Sequence, residues 1–85
     1  MTTHASHPKI AKRLRRAEGH LRSIVGMMEE GRSCLDLAQQ LHAVEKAVAN
    51  AKRELIHDHI EHCLESDEPS GKSELSELKQ LTKYL

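Results

Sequence analysis

Residues 34–64 read CLDLAQQLHAVEKAVANAKRELIHDHIEHCL, and this stretch decides the fold. Leu37, Leu41, Val44, Val48, Ala51 and Leu55 step 4-3-4-3-4 along it, the spacing of one face of an α-helix. No Gly or Pro interrupts the chain from Cys34 to Glu68. Ser33 can cap the helix, with Asp36 three residues on in a capping-box-like arrangement. A helix over roughly 34–64 is about 45 Å long at about 1.5 Å per residue. A compact domain of 85 residues has a radius of gyration of about 12 Å, so this helix overruns the domain that contains it.

Outward from it, the pattern gives two more helices. Ile10, Leu14, Ala17, Leu21, Ile24 and Met28 repeat the 4-3-4-3-4 step, with Pro8 suited to a first turn and Gly31 to a stop, predicting a helix over about 8–30. Gly19 and Gly26 weaken that helix by about 1 kcal/mol each relative to Ala, a cost that close helix packing would explain. Ser66 to Gly71 reads as a loop. Leu75, Leu78, Leu81 and Leu85 then mark a short third helix over about 73–84, capped by Ser73. The expected organisation is a flexible His-containing tail over 1–7 and one all-α domain over 8–85. The first helix covers only part of the long one, so a second copy of the chain is the simplest partner for the rest. The expectation is an antiparallel four-helix-bundle dimer.

Composition narrows the function. Only one aromatic residue, Tyr84, is present, and there is neither Phe nor Trp. A chain this short without large aromatic side chains is expected to lean on oligomerisation or a metal. No window approaches a membrane span, and the basic N-terminal stretch has no apolar run to act as a signal peptide, which points to the cytoplasm and to no membrane partner. Nucleophile–base pairing and a phosphate loop are both missing, and the chain is too short to enclose a substrate pocket, so an enzyme is not expected.

The formal net charge of +0 conceals a segregation. Between Lys9 and Arg22, the bases Lys9, Lys12, Arg13, Arg15, Arg16 and Arg22 stand against a single acid, Glu18, whereas from Glu54 onward acids dominate. Lys9, Arg13 and Arg16 fall at i, i+4 and i+7, with Lys12 and Arg15 beside them, and Lys52 and Arg53 extend the cationic surface from the second helix. Such a stripe suits the phosphates of double-stranded DNA. A solvated charged face is the plainer alternative. Stacking on single strands is not expected, because no aromatic residues interleave with the charges.

Soft donors concentrate in Cys34, His59 and Cys63. His59 and Cys63 are one turn apart on one helix face. Cys34 lies 25 residues before His59, about 37 Å along the same helix, so one protomer cannot bring all three to one ion. In an antiparallel dimer the start of one long helix lies beside the end of the other, and Cys34 meets His59 and Cys63 of the partner. Two thiolates and an imidazole suit Cu(I), or Zn(II) or Ni(II) with a fourth donor such as His4 or His7. The alternative is an ordinary half-buried thiol at Cys34 and a core thiol at Cys63. A Glu-x-x-His pair at Glu54 and His57 lacks the further inward carboxylates of a di-iron bundle.

Three segments carry a resemblance over nearly the whole chain: Lys12 to Leu21, Ser33 to Val44, and His57 to Cys63. They resemble the bacterial repressors of the CsoR/RcnR/FrmR family, which respond to copper, to nickel and cobalt, or to formaldehyde. The resemblance implies that the dimers pair into a disc-shaped tetramer, a dimer of dimers. It also implies a repressor that holds operator DNA when ligand-free and releases it on binding its inducer. The family's intersubunit ligands fall on Cys34, His59 and Cys63, a DNA contact on Arg13, and a carboxylate behind the copper ligands on Glu77. Ser33 stands where some copper members carry Tyr, and Asn50 where the second helix can be basic. Cys-His-Cys is the copper pattern, while the His7-Pro8 start and Asp36 to His42 look like a subgroup associated with nickel resistance. Cu(I) and Ni(II) therefore stand level as inducers, with Co(II) or Zn(II) behind them. A formaldehyde sensor would pair the first Cys with an N-terminal Pro, where this chain has Thr2. Two rival readings use the same residues. One is a thiol- or persulfide-responsive repressor that joins Cys34 to Cys63, and it leaves His59 without a role. The other is a metal buffer or carrier that never touches DNA.

Overall fold

The computed structural model describes residues 6–65 and 72–85. It contains α1 (His7–Glu29), α2 (Cys34–Glu65) and α3 (Lys72–Leu81), followed by a single 3-10 turn over Thr82–Tyr84. There is no strand among the described residues, so the all-α, three-helix reading holds. None of these helices is long and apolar enough to cross a membrane, among the described residues.

Local chemistry sets the α1–α2 turn. Pro8 sits in the first turn of α1, where its missing N–H has no helical acceptor to lose. At the other end Gly31 adopts φ +78°, the left-handed conformation that glycine takes without a Cβ penalty. Its N–H donates to the Met28 carbonyl at 3.1 Å, and that of Arg32 to Met27 at 3.0 Å. This pair of bonds is a Schellman stop. Then Ser33 Oγ accepts from the Asp36 N–H at 3.1 Å, capping α2. The Asp36 carboxylate turns to the Arg32 guanidinium, 3.1 Å away.

α1 and α2 pack antiparallel, with Arg13 facing Glu54 near one end and His20 facing Gln40 further along. Each apolar stripe separates into two rows with a seven-residue repeat. Ile10, Ala17 and Ile24 on α1 are at most 7% exposed, as are Val44 and Ala51 on α2. Ala17, Ile24 and Val44 form one cluster, with Leu37 packed against it. The alternate row does not enter the hairpin core: Leu14, Leu21 and Met28 are 42–52% exposed, and Leu41, Val48 and Leu55 37–44%. Part of this outer row lines a shallow apolar groove with Ile10 and Ala51.

Burying a branched aliphatic side chain contributes about 1.5–3 kcal/mol, and the hairpin core contains few of them. The chain is a rod of 56 × 23 × 15 Å with a radius of gyration of 17.3 Å, well beyond the value of about 12 Å for a compact domain of this length. α3 scarcely touches the hairpin, among the described residues. The close packing expected at Gly19 and Gly26 does not occur within the chain, since a methyl group added at either would meet open space.

Candidate metal centre and nucleic-acid interface

The three soft donors all ride on α2. Cys34 is its first residue and carries a free, exposed thiol. His59 lies in the last third of α2 and is partly buried, with Nε2 shielded from solvent. The backbone of Cys63 belongs to the last turns of α2, and its side chain lies outside the described residues. One continuous helix thus holds Cys34 and His59 about 37 Å apart. Among the described residues no three His, Cys, Asp or Glu side chains come close enough to hold a metal.

The remaining candidate ligands are dispersed. His7 is the first residue of α1 and partly buried, while His4 lies outside the described residues. Glu77 is exposed on α3. As donor types, two cysteine thiols and an imidazole are of the soft kind that suits Cu(I), or Ni(II) with a further donor.

The cationic residues are more concentrated. Lys9, Lys12, Arg13 and Arg16 line one depression of about 250 Å³ on α1. Arg13 and Arg16 also line its neighbour, of about 410 Å³, together with His20, Ala47 and Asn50 across the α1–α2 groove. Arg15 is exposed but lines neither. On α2, Lys52 borders the apolar groove beside Leu14 and Val48, away from the basic depressions. Arg53 donates to Asn50 Oδ1 at 3.2 Å, so a guanidinium stands beside the residue where the second helix lacks a basic side chain.

Two cross-helix contacts were not legible in the sequence. Arg13 Nη1 donates to Glu54 Oε2 in an ion pair between α1 and α2. His20 Nε2 meets Gln40 Oε1 at 2.6 Å. Only the antiparallel register brings these partners together, and periodicity within one helix carries no trace of it.

Comparison with known proteins agrees with this arrangement. Residues 6–84 match the family described as metal-sensitive transcriptional repressor. The copper-sensing transcriptional repressor CsoR of Bacillus subtilis (strain 168) is 39% identical over 77 residues, which span 88% of this chain and 76% of that one. RicR, a copper-sensing transcriptional repressor of Mycobacterium tuberculosis (strain ATCC 25618 / H37Rv), is 43% identical over 54 residues, 64% of this chain and 56% of its own length. Among solved structures, the nickel-responsive transcriptional regulator InrS superposes with a TM-score of 0.80 at 32% identity, covering 100% of this chain and 99% of that one. The helical rod, its basic α1 and its thiol-bearing α2 are those of a metal-responsive repressor, and the chain belongs to the metal-sensitive transcriptional repressor family.

Proposed function

We propose that this repressor grips operator DNA through α1 in its metal-free state and lets go when Cu(I) or Ni(II) is held between subunits by Cys34 of one protomer and His59 and Cys63 of its partner. The observation that carries the reading is the rigid separation of Cys34 and His59 along one helix, combined with outward apolar rows on both α1 and α2. Those rows favour a second hairpin packed antiparallel against the first, forming the four-helix dimer. In that packing each Cys34 sits beside the distal half of its partner's α2, twice per dimer. Pairing of dimers into a tetramer would add the remaining surface.

The residues divide the work. Cys34 and Cys63 supply soft thiolates, His59 an imidazole, and His4 or His7 a further nitrogen where Ni(II) requires one. Glu77 is proposed to steady the ligand set through hydrogen bonding. Lys9, Lys12, Arg13, Arg15 and Arg16, with Lys52 and Arg53, hold phosphates. Tying the α2 ends together biases the assembly toward a shape that grips DNA less well. By linkage, DNA weakens metal affinity by the same factor.

The relatives respond to copper or to nickel, so the test must separate the two metals. Reduced protein titrated anaerobically with Cu(I) and with Ni(II) should take up one of them tightly at one ion per protomer. Uptake of Cu(I) unchanged by removing residues 1–7 identifies a three-ligand copper sensor. Uptake of Ni(II) that depends on His4 or His7 identifies a nickel sensor. Cys34→Ala should keep DNA binding and lose release by metal. Release that persists in Cys34→Ala sinks the ligand assignment, and no tight uptake of either ion shifts the reading to thiol chemistry at Cys34 and Cys63.

A further inference from the structure

Of the four cations that line the depression on α1, Arg13 is the one already engaged by a carboxylate. Its Nη1 donates to Glu54 Oε2 from a position 41 residues away in sequence. Lys9, Lys12 and Arg16 have no carboxylate partner among the described residues. Arg13, like Arg16, lines both basic depressions, and of the two only Arg13 is engaged by a carboxylate among the described residues. A carboxylate is a planar oxygen anion that meets a guanidinium as a phosphate oxygen does. Glu54 lines neither depression, but its carboxylate engages the guanidinium that Arg13 contributes to both, the group an incoming phosphate would need.

We propose that Glu54 is an internal competitor for the phosphate contact of Arg13, and so sets how tightly the metal-free protein grips DNA. The inference rests on the reading that α1 is the DNA-binding face. Before Arg13 can take a phosphate, the Glu54 carboxylate must let go and gather a counterion of its own. Binding then releases fewer ions in total than the number of phosphates contacted. Glu54 touches no DNA in this account and acts only through Arg13, as a positioning residue. An exposed pair of this kind is modest in strength, which lets DNA displace it.

The test uses the full chain, free of metal, and a short fluorescent DNA duplex of mixed sequence, titrated over a range of salt. Glu54→Gln keeps the shape of the side chain and removes its charge. It should tighten binding by up to about fivefold per engaged protomer and steepen the log–log salt dependence by up to about one ion per protomer. Glu54→Asp retains the charge and should return the slope toward that of the unaltered protein. In an Arg13→Gln background, Glu54→Gln should do no more than Glu45→Gln, which removes an acid elsewhere on α2. The proposal is overturned if Glu54→Gln matches Glu45→Gln with Arg13 intact, or if it weakens binding. Equal binding by the unaltered protein and Arg13→Gln overturns it too, and that result separately refutes Arg13 as a phosphate contact. Melting curves of every variant show whether the fold has been kept, and Glu54→Ala, which also removes the charge, carries the test against Glu45→Ala if Glu54→Gln has not.

Discussion

His20 Nε2 donates to Gln40 Oε1 across 2.6 Å, joining the middle of α1 to the first part of α2 in a partly buried contact. His20 lines the same depression as Arg13, Arg16 and the buried Ala17. The bond therefore fixes the register of the basic face against α2. Replacing either partner with Ala should cost about 1 kcal/mol. Replacing both should cost less than the sum of the two, because the second change removes a group already left without its partner. Denaturant unfolding at one fixed protein concentration checks this.

The two apolar rows should separate folding from assembly. Ile24→Ala truncates a side chain that is 2% exposed and should destabilise the hairpin by about 2–5 kcal/mol. Val48→Glu places a charge in the outer row, on a residue already 44% exposed within the chain. It should leave helicity nearly intact and shift the protein toward monomer in sedimentation analysis. A fully assembled Val48→Glu protein would refute the outer row as a subunit interface.

The cross-subunit ligand set proposed above makes a stoichiometric prediction. Cys34→Ala and Cys63→Ala proteins should each bind the inducing metal weakly. Unfolded together and refolded at equal concentration, they should recover about a quarter of a tight site per protomer, since about half the dimers are mixed and each mixed dimer has one complete site. Metal titration of the mixture reads the result. No recovery would mean that the ligands do not come from two chains.

The α1–α2 turn is the most sharply specified local structure. Gly31→Ala forces a Cβ into φ +78° and should cost about 1 kcal/mol. Ser33→Ala removes the oxygen that caps α2 at Asp36 and should cost about 1 kcal/mol as well. Both effects are read from thermal melts at one concentration. Neither should change the stoichiometry of metal uptake.

Charge reversal on α1 should discriminate a repressor from a metal carrier. Arg16→Glu alters an exposed residue in both basic depressions. It should weaken duplex binding at all sequences and flatten the salt dependence by about one ion per engaged protomer. Metal uptake by the same variant should stay close to that of the unaltered protein. Unchanged DNA binding would favour the carrier.

Much of this protein can be read along the chain because its determinants are local. Pro8, Gly31 and Ser33 act within one helical turn, and the 4-3 spacing of apolar residues reports helix without reference to any partner. The spacing of Cys34, His59 and Cys63 is equally legible, because three soft donors strung along one rod cannot meet at one ion within a single chain. What spacing cannot divide is the apolar stripe itself: Ile10, Leu14, Ala17 and Leu21 look like one face. The hairpin buries the first and third and leaves the other two at the surface, because only one row can meet the neighbouring helix at the observed crossing. Nor does sequence pair Arg13 with Glu54 or His20 with Gln40, contacts that depend on the antiparallel register of two helices joined by a four-residue turn. Helix type and helix ends are short-range properties, fixed by neighbours a turn away. Which charges are already answered, and which apolar row remains to be covered, are long-range properties that exist only once α1 has docked on α2.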